Sequence, residues 1–188
     1  MQFSGFMKPA IFLEQDGVLA RVRVAGARQI SAMTFEDFRI NTDAIAPLRR
    51  LGAAGFVLIA TTNQPGLSRG LLARRELDRM HGLLRQSFRL DDILICPHDE
   101  GDQCPCRKPR PGLLKEAAFK WQLDLGHSYV ISDKWQDAEA ARMAGCTSIL
   151  LDSPWTGSGH HDFVVGDLES AVDKVLQLHA GVGTMEHA

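Results

Sequence analysis

Ile11-Phe12-Leu13-Glu14-Gln15-Asp16-Gly17-Val18-Leu19 is an apolar run that stops at two acids spaced two residues apart and then turns on a glycine. In an extended strand alternate residues point to one side, so the Glu14 and Asp16 carboxylates aim into one small volume where the strand ends. Carboxylates converging in this way repel unless a cation lies between them. A hard divalent ion such as Mg²⁺ accepts such oxygens and keeps other positions for water and phosphate, so the stretch points toward phosphoryl chemistry. The same E-x-D-G sequence also suits an exposed turn with both acids in water, and the rest of the chain decides between the two.

Working outward, residues 20–30 alternate around a glycine and predict a small hairpin or flap, extending to about residue 35. Asn41 or Thr42 caps a helix in which Ala44, Ile45, Leu48 and Leu51 recur at helical spacing until Gly52 and Gly55 end it. Residues 56–60 read as a second buried strand, followed by the polar turn Thr61-Thr62-Asn63-Gln64-Pro65-Gly66 and a helix over 71–88. Hydroxyl, amide and backbone N–H groups gathered between a strand end and a helix can hold an anion.

Further strands are expected at 92–95, 129–132, 147–151 and 163–165, with helices over 111–121 and 138–144 and from Asp167 to about 178. Residues 181–188 read as a frayed tail. Strands alternating with helices predict an α/β fold with a mostly parallel sheet covered by helices on both faces. In such sheets ligands bind at the carboxyl ends of the strands, which gathers Glu14, Asp16, Thr62, Lys108 and Asp133 into one site. Asp137, four residues beyond Asp133, is either a further cation ligand or an acid facing a helix dipole.

Between two of these elements lies Cys96-Pro97-His98, a stretch containing Cys104, and Cys106-Arg107-Lys108-Pro109. Two pairs of thiolate and imidazole donors suffice to close a tetrahedral zinc site over a loop, about 96–110, that has almost no core of its own. The alternative is unrelated thiols beside a surface histidine. With the metal in place, Arg107 and Lys108 follow directly after the last ligand, and a lysine ammonium is a good point charge for a phosphoryl oxygen. His160 and His161 read as surface histidines rather than ligands.

The totals fit one globular domain over 1–188: 188 residues, 45% apolar and 23% charged. A net charge of −2 and a pI near 6.4, with no basic stripe interleaved with aromatics, argue against nucleic acid or anionic membrane as a partner. No apolar run approaches the roughly 20 residues of a membrane helix and the start lacks a signal-peptide pattern, so a cytoplasmic location is expected. Four cysteines, three of them within one loop, do not make a disulfide framework.

Together F-L-E-Q-D-G-V-L, T-N-Q-P-G, C-P-H…C-P-C-R-K-P-R-P-G and S-D-K-W-Q-D, in this order, resemble the haloacid dehalogenase (HAD) superfamily, over about residues 11–151. Within it the zinc loop is similar to that of the heptose 1,7-bisphosphate phosphatases and the histidinol-phosphate phosphatase domain. The resemblance implies a Rossmann-like fold without a large cap domain, Mg²⁺ dependence and a phospho-acyl enzyme. It places Glu14 on the nucleophile, Asp16 on the acid that protonates the leaving alkoxide, Thr62 and Lys108 on phosphoryl binding, and Glu14, Asp16 and Asp133 on Mg²⁺. It places Cys96, His98, Cys104 and Cys106 on structural zinc, and Asn63, Arg107 and Lys134 on substrate contact. The implied partner is a small sugar phosphate, bound by a monomer.

The resemblance departs at Glu14, where the family carries aspartate. One extra methylene displaces the carboxylate by about 1.5 Å, and a misplacement of about 1 Å can cost on the order of 10²-fold in rate. Two readings follow: a phosphatase slowed at its nucleophile, or a homologue that binds a phosphorylated ligand without turning it over. Ser132 also replaces a glycine of the S-D-K motif's usual pattern, which crowds the backbone at that strand end.

Overall fold

The computed structural model describes residues 7–26 and 28–185. Strand β1 (Ala10–Glu14) is buried along its whole length. That is how a central parallel strand covered on both faces should read. It is followed by the short strands β2 (Ala20–Arg21), β3 (Arg23–Ala25), β4 (Arg28–Ile30) and β5 (Arg39–Ile40). β3 and β4 pair antiparallel as the expected hairpin, and β2 pairs with β5.

The chain continues through α1 (Ile45–Ala53), β6 (Val57–Asn63), α2 (Arg74–Phe88), β7 (Asp92–Cys96), α3 (Gly112–Trp121) and β8 (Tyr129–Ser132). It ends with α4 (Trp135–Ala144), β9 (Thr147–Leu151), β10 (Phe163–Val165) and α5 (Leu168–Met185). The main sheet has the order β10-β9-β8-β1-β6-β7 and every pairing in it is parallel.

Alternation along β1 divides the core. Ile11 and Leu13 pack with Leu48 and Leu51 of α1, Leu77, Met80, Leu84 and Phe88 of α2, and Val172 and Val175 of α5. Ala10 and Phe12 face the other way, onto Leu113, Leu114 and Ala117 of α3 and Ala140 and Ala141 of α4. The buried residues of α2 recur three to four apart, so one stripe meets the sheet while its arginines stay in water. After β1 the chain moves outward through β6 and β7, then returns to the opposite side of β1 as β8. The β1/β8 boundary is therefore the switch point where the carboxyl ends open a crevice.

Four expected boundaries move; one is the start of α4, at Trp135 instead of residue 138. Thr61, Thr62 and Asn63 are the end of β6 rather than a turn, because they pair in register with Leu94, Ile95 and Cys96 of β7. Helix α2 starts at Arg74, not residue 71, since the Leu71 and Leu72 N–H groups turn back to the Gly66 carbonyl and Ala73 is extended. The last helix runs beyond 178 to Met185, so the expected frayed tail is helical over 181–185, and 186–188 lie outside the described residues.

Candidate active site

Glu14 ends β1 and is 4% exposed. One of its oxygens pairs with the Lys108 ammonium, and the other accepts from the Asp16 N–H at 3.2 Å and lies 3.5 Å from Lys134 Nζ. Lys108 is equally buried. Asp137, on the first turn of α4, accepts from its Nζ at 2.6 Å, and the Thr61 carbonyl at 3.2 Å. Burial pushes the Lys108 amine below the usual lysine range and Asp137 opposes that push. Asp137 thus holds Lys108.

Asp16 points the other way across the crevice. Its Oδ2 accepts from Ser31 at 2.7 Å and from Gln64 Nε2 at 3.2 Å, and its Oδ1 from Gln15 Nε2 at 3.4 Å. Gln15 is in turn fixed by His81 Nε2 at 2.9 Å, which puts the imidazole proton on that nitrogen and the Gln15 oxygen on the accepting side. His81 is 3% exposed, and burial first, then Arg85, lowers its pKa from 6.5 to about 4, so it is neutral.

Asp133 follows β8 beside Glu14. Gly17 passes so close beneath it that a Cβ there would sit 2.5 Å from Asp133 Oδ2, and its φ of +112° is one that only glycine adopts without strain. Asp133 Oδ2 accepts from Gln29 of the hairpin at 2.5 Å, while the buried Oδ1 accepts no hydrogen bond among the described residues. Lys134 Nζ lies 3.5 Å from that Oδ1 and donates to the Asp16 carbonyl. Ser132, read as crowding this strand end, is fully buried and its hydroxyl accepts from the Lys134 N–H at 3.1 Å.

The pocket so formed, of about 160 Å³, is lined by Glu14, Asp16, Gln29, Ser31, Asn63, Lys108, Lys134, Gln136 and Asp137. Six of the residues singled out in the sequence, Asp137 among them, therefore line one volume. Thr62 does not: it is fully buried, with its hydroxyl accepting from Gln64 at 2.9 Å. Arg107 does not either; its guanidinium donates to the His98 carbonyl at 3.2 Å. Asn63 lines the pocket but spends its amide on the Lys108 backbone, donating to its carbonyl and accepting from its N–H, both at 3.2 Å.

Gln15, Gln29, Ser31, Gln64 and His81 were not picked out in the sequence. The only signal for the hairpin residues was the glycine-broken alternation of 20–30, which says nothing of where the hairpin folds.

The Cys96, His98, Cys104 and Cys106 ligand atoms lie within 4.8 Å of one another. Sulfur–sulfur separations are 3.2 to 3.6 Å, and His98 Nδ1 is 3.2 Å from Cys106 Sγ. Zn–S bonds of about 2.3 Å would put tetrahedral sulfurs about 3.8 Å apart, so the cluster fits zinc with little adjustment. Burial and the neighbouring thiols push Cys96 up to about 12, the opposite of what a bound cation would do. Gly112 secures the far end of the loop, because a Cβ there would lie 2.3 Å from the Pro105 carbonyl oxygen.

A parallel sheet with acids, lysine and a Cys/His loop at its carboxyl edge is the arrangement of a HAD-type hydrolase. The HAD-hyrolase-like family model matches residues 105–171. The chain is 35% identical over 158 residues to a D-glycero-beta-D-manno-heptose-1,7-bisphosphate 7-phosphatase of Rhodopseudomonas palustris, covering 77% of this chain and 84% of that one. With the corresponding phosphatase of Salmonella typhi it shares 33% identity over 181 residues, 89% of each chain. A crystal structure of D,D-heptose 1,7-bisphosphate phosphatase from B. bronchiseptica, complexed with magnesium and phosphate, superposes with a TM-score of 0.77 at 29% identity, covering 91% of this chain and 99% of that one. The chain belongs to the HAD superfamily and, within it, to the heptose-1,7-bisphosphate phosphatase family. No helix among the described residues is long and apolar enough to cross a membrane.

Proposed function

We propose that the protein is a Mg²⁺-dependent phosphatase of a small sugar phosphate resembling heptose 1,7-bisphosphate, with Glu14 as its nucleophile and zinc closing the 96–110 loop. The observation that carries this is the division of labour between two carboxylates: Glu14 lies against lysines, whereas Asp16 is held by Ser31, Gln64 and Gln15. A carboxylate beside cations is favoured in its charged form and can attack phosphorus; the other, set across the crevice among hydroxyl and amide groups, is placed to exchange a proton with a leaving oxygen.

Glu14 would attack the phosphorus to form an acyl phosphate while the ester oxygen leaves, and Asp16 would give that oxygen its proton. Asp16, now a carboxylate, would take a proton from water, whose oxygen attacks the same phosphorus and frees Glu14 and phosphate. Lys108, fixed by Asp137, offsets charge on the phosphoryl oxygens throughout. Glu14 Oε1, the Asp16 carbonyl and Asp133 Oδ1 are hard oxygens converging on one point, a donor set that suits Mg²⁺. A cation bound there would neutralise the carboxylates and the approaching phosphate.

The test is phosphate release from a panel of sugar phosphates, including heptose 1,7-bisphosphate and histidinol phosphate, with Mg²⁺. Release that stops with EDTA and falls by at least about 10²-fold in Asp16→Asn supports the reading; release that survives both overturns it. A second reading, a phospholigand-binding or regulatory homologue, is favoured by Glu14, whose carboxylate oxygens are both already engaged. It predicts saturable binding of the sugar phosphate with no phosphate released.

A further inference from the structure

The two lysines of the crevice are held differently. Lys108 is 4% exposed and has in Asp137 a carboxylate that meets no other cation among the described residues. Lys134 is 21% exposed, and the three oxygens around its ammonium are Glu14 Oε1, Asp133 Oδ1 and the Asp16 carbonyl. None of these is a partner of its own: all three are the oxygens that the proposed function gives to the divalent cation. Gln29 takes the opposite Asp133 oxygen and so turns Oδ1 toward the ammonium.

We propose that Lys134 is an internal counter-cation, which neutralises the cation site until a divalent ion enters and which that ion must displace. The inference rests on the phosphatase reading for the identity of the site and deepens it by giving the site a metal threshold. Coulomb repulsion forbids an ammonium and a dication from sharing the same three oxygens. The partial exposure of Lys134 gives its flexible stem a way out to solvent, where the ammonium is well hydrated. Lys108, locked on Asp137, stays behind. Part of the metal's binding free energy is thereby spent on moving the lysine, so the resting site binds metal weakly.

The experiment is Mn²⁺ binding, followed by electron paramagnetic resonance of the free ion and by calorimetry, with no substrate present. Lys134→Met should bind Mn²⁺ at least about tenfold more tightly than the natural chain, and Lys134→Arg, which keeps a cation, should stay weak. Arg107→Gln removes the same charge from the neighbouring loop and should change affinity less than about twofold if displacement rather than net charge is responsible. Equal affinities for the natural chain and Lys134→Met, or an equal gain in Arg107→Gln, would overturn the proposal. Adding Asp133→Asn to Lys134→Met should abolish the tight binding. Retention of tight Mn²⁺ binding there would overturn the cation site itself, and the inference with it; loss of binding there with no effect of Lys134→Met would overturn the inference alone.

Discussion

At the scale of single residues the site is built from side chains that hold other side chains. Asp137 holds Lys108, Asn63 holds the Lys108 backbone from both sides, and His81 holds Gln15 against Asp16. The histidine gives this arrangement a pH signature. Unfolded, His81 titrates near 6.5; folded, burial holds it near about 4. Between those values the unfolded chain binds the extra proton, so stability is fully present above about pH 6.5 and falls as the pH drops toward 4. The gap corresponds to up to roughly 3 kcal/mol. His81→Gln should therefore show a flatter fall in unfolding free energy from pH 6.5 to 4 than the natural chain, measured by urea denaturation. Parallel curves would show that His81 does not titrate on unfolding.

At the scale of elements, the stretch from β7 to α3 is gathered around its Cys/His cluster, which the proposed function gives to zinc. Its 3-10 turn Glu100–Asp102 is capped by Asp99, which also binds exposed Arg69, but few of its residues are buried. Surface ion pairs of that kind contribute about 0–1 kcal/mol, too little to order such a loop alone. Removing zinc with a chelator, followed by Mg²⁺ replacement, should open residues 97–111 to proteolysis and rapid amide exchange while the sheet stays protected. Phosphate release should be lost because Lys108 sits at the end of that loop. Unchanged exchange in the loop after verified zinc removal would contradict a structural role for the metal. The cluster was legible in the sequence because its donors are close along the chain. Thr61 to Asn63 were not legible as strand, since their pairing with β7 depends on a neighbour some thirty positions away and their polarity resembles a turn.

At the scale of the whole molecule, the parallel sheet brings Glu14, Asn63 and Asp133 from three separate strand ends to one edge. That edge was readable, because each strand announces itself as a short apolar run and each run stops at polar residues. The hairpin's contribution was not: Gln29 and Ser31 reach Asp133 and Asp16 across 104 and 15 positions, and no local pattern encodes such contacts. Thr62 and Arg107 show the converse, since a motif position placed them in the site while packing turned Thr62 to Gln64 and Arg107 to the zinc loop. Glu14 is where fold and chemistry meet, because the sheet delivers its carboxylate to the site with one methylene more than an aspartate would have. The most direct measurement is the turnover rate on heptose 1,7-bisphosphate with saturating Mg²⁺ for the natural chain and Glu14→Asp side by side. The account predicts turnover by the natural chain and a rate about 10²-fold higher for Glu14→Asp; turnover by Glu14→Asp alone would contradict Glu14 as a working nucleophile and leave ligand binding as the function.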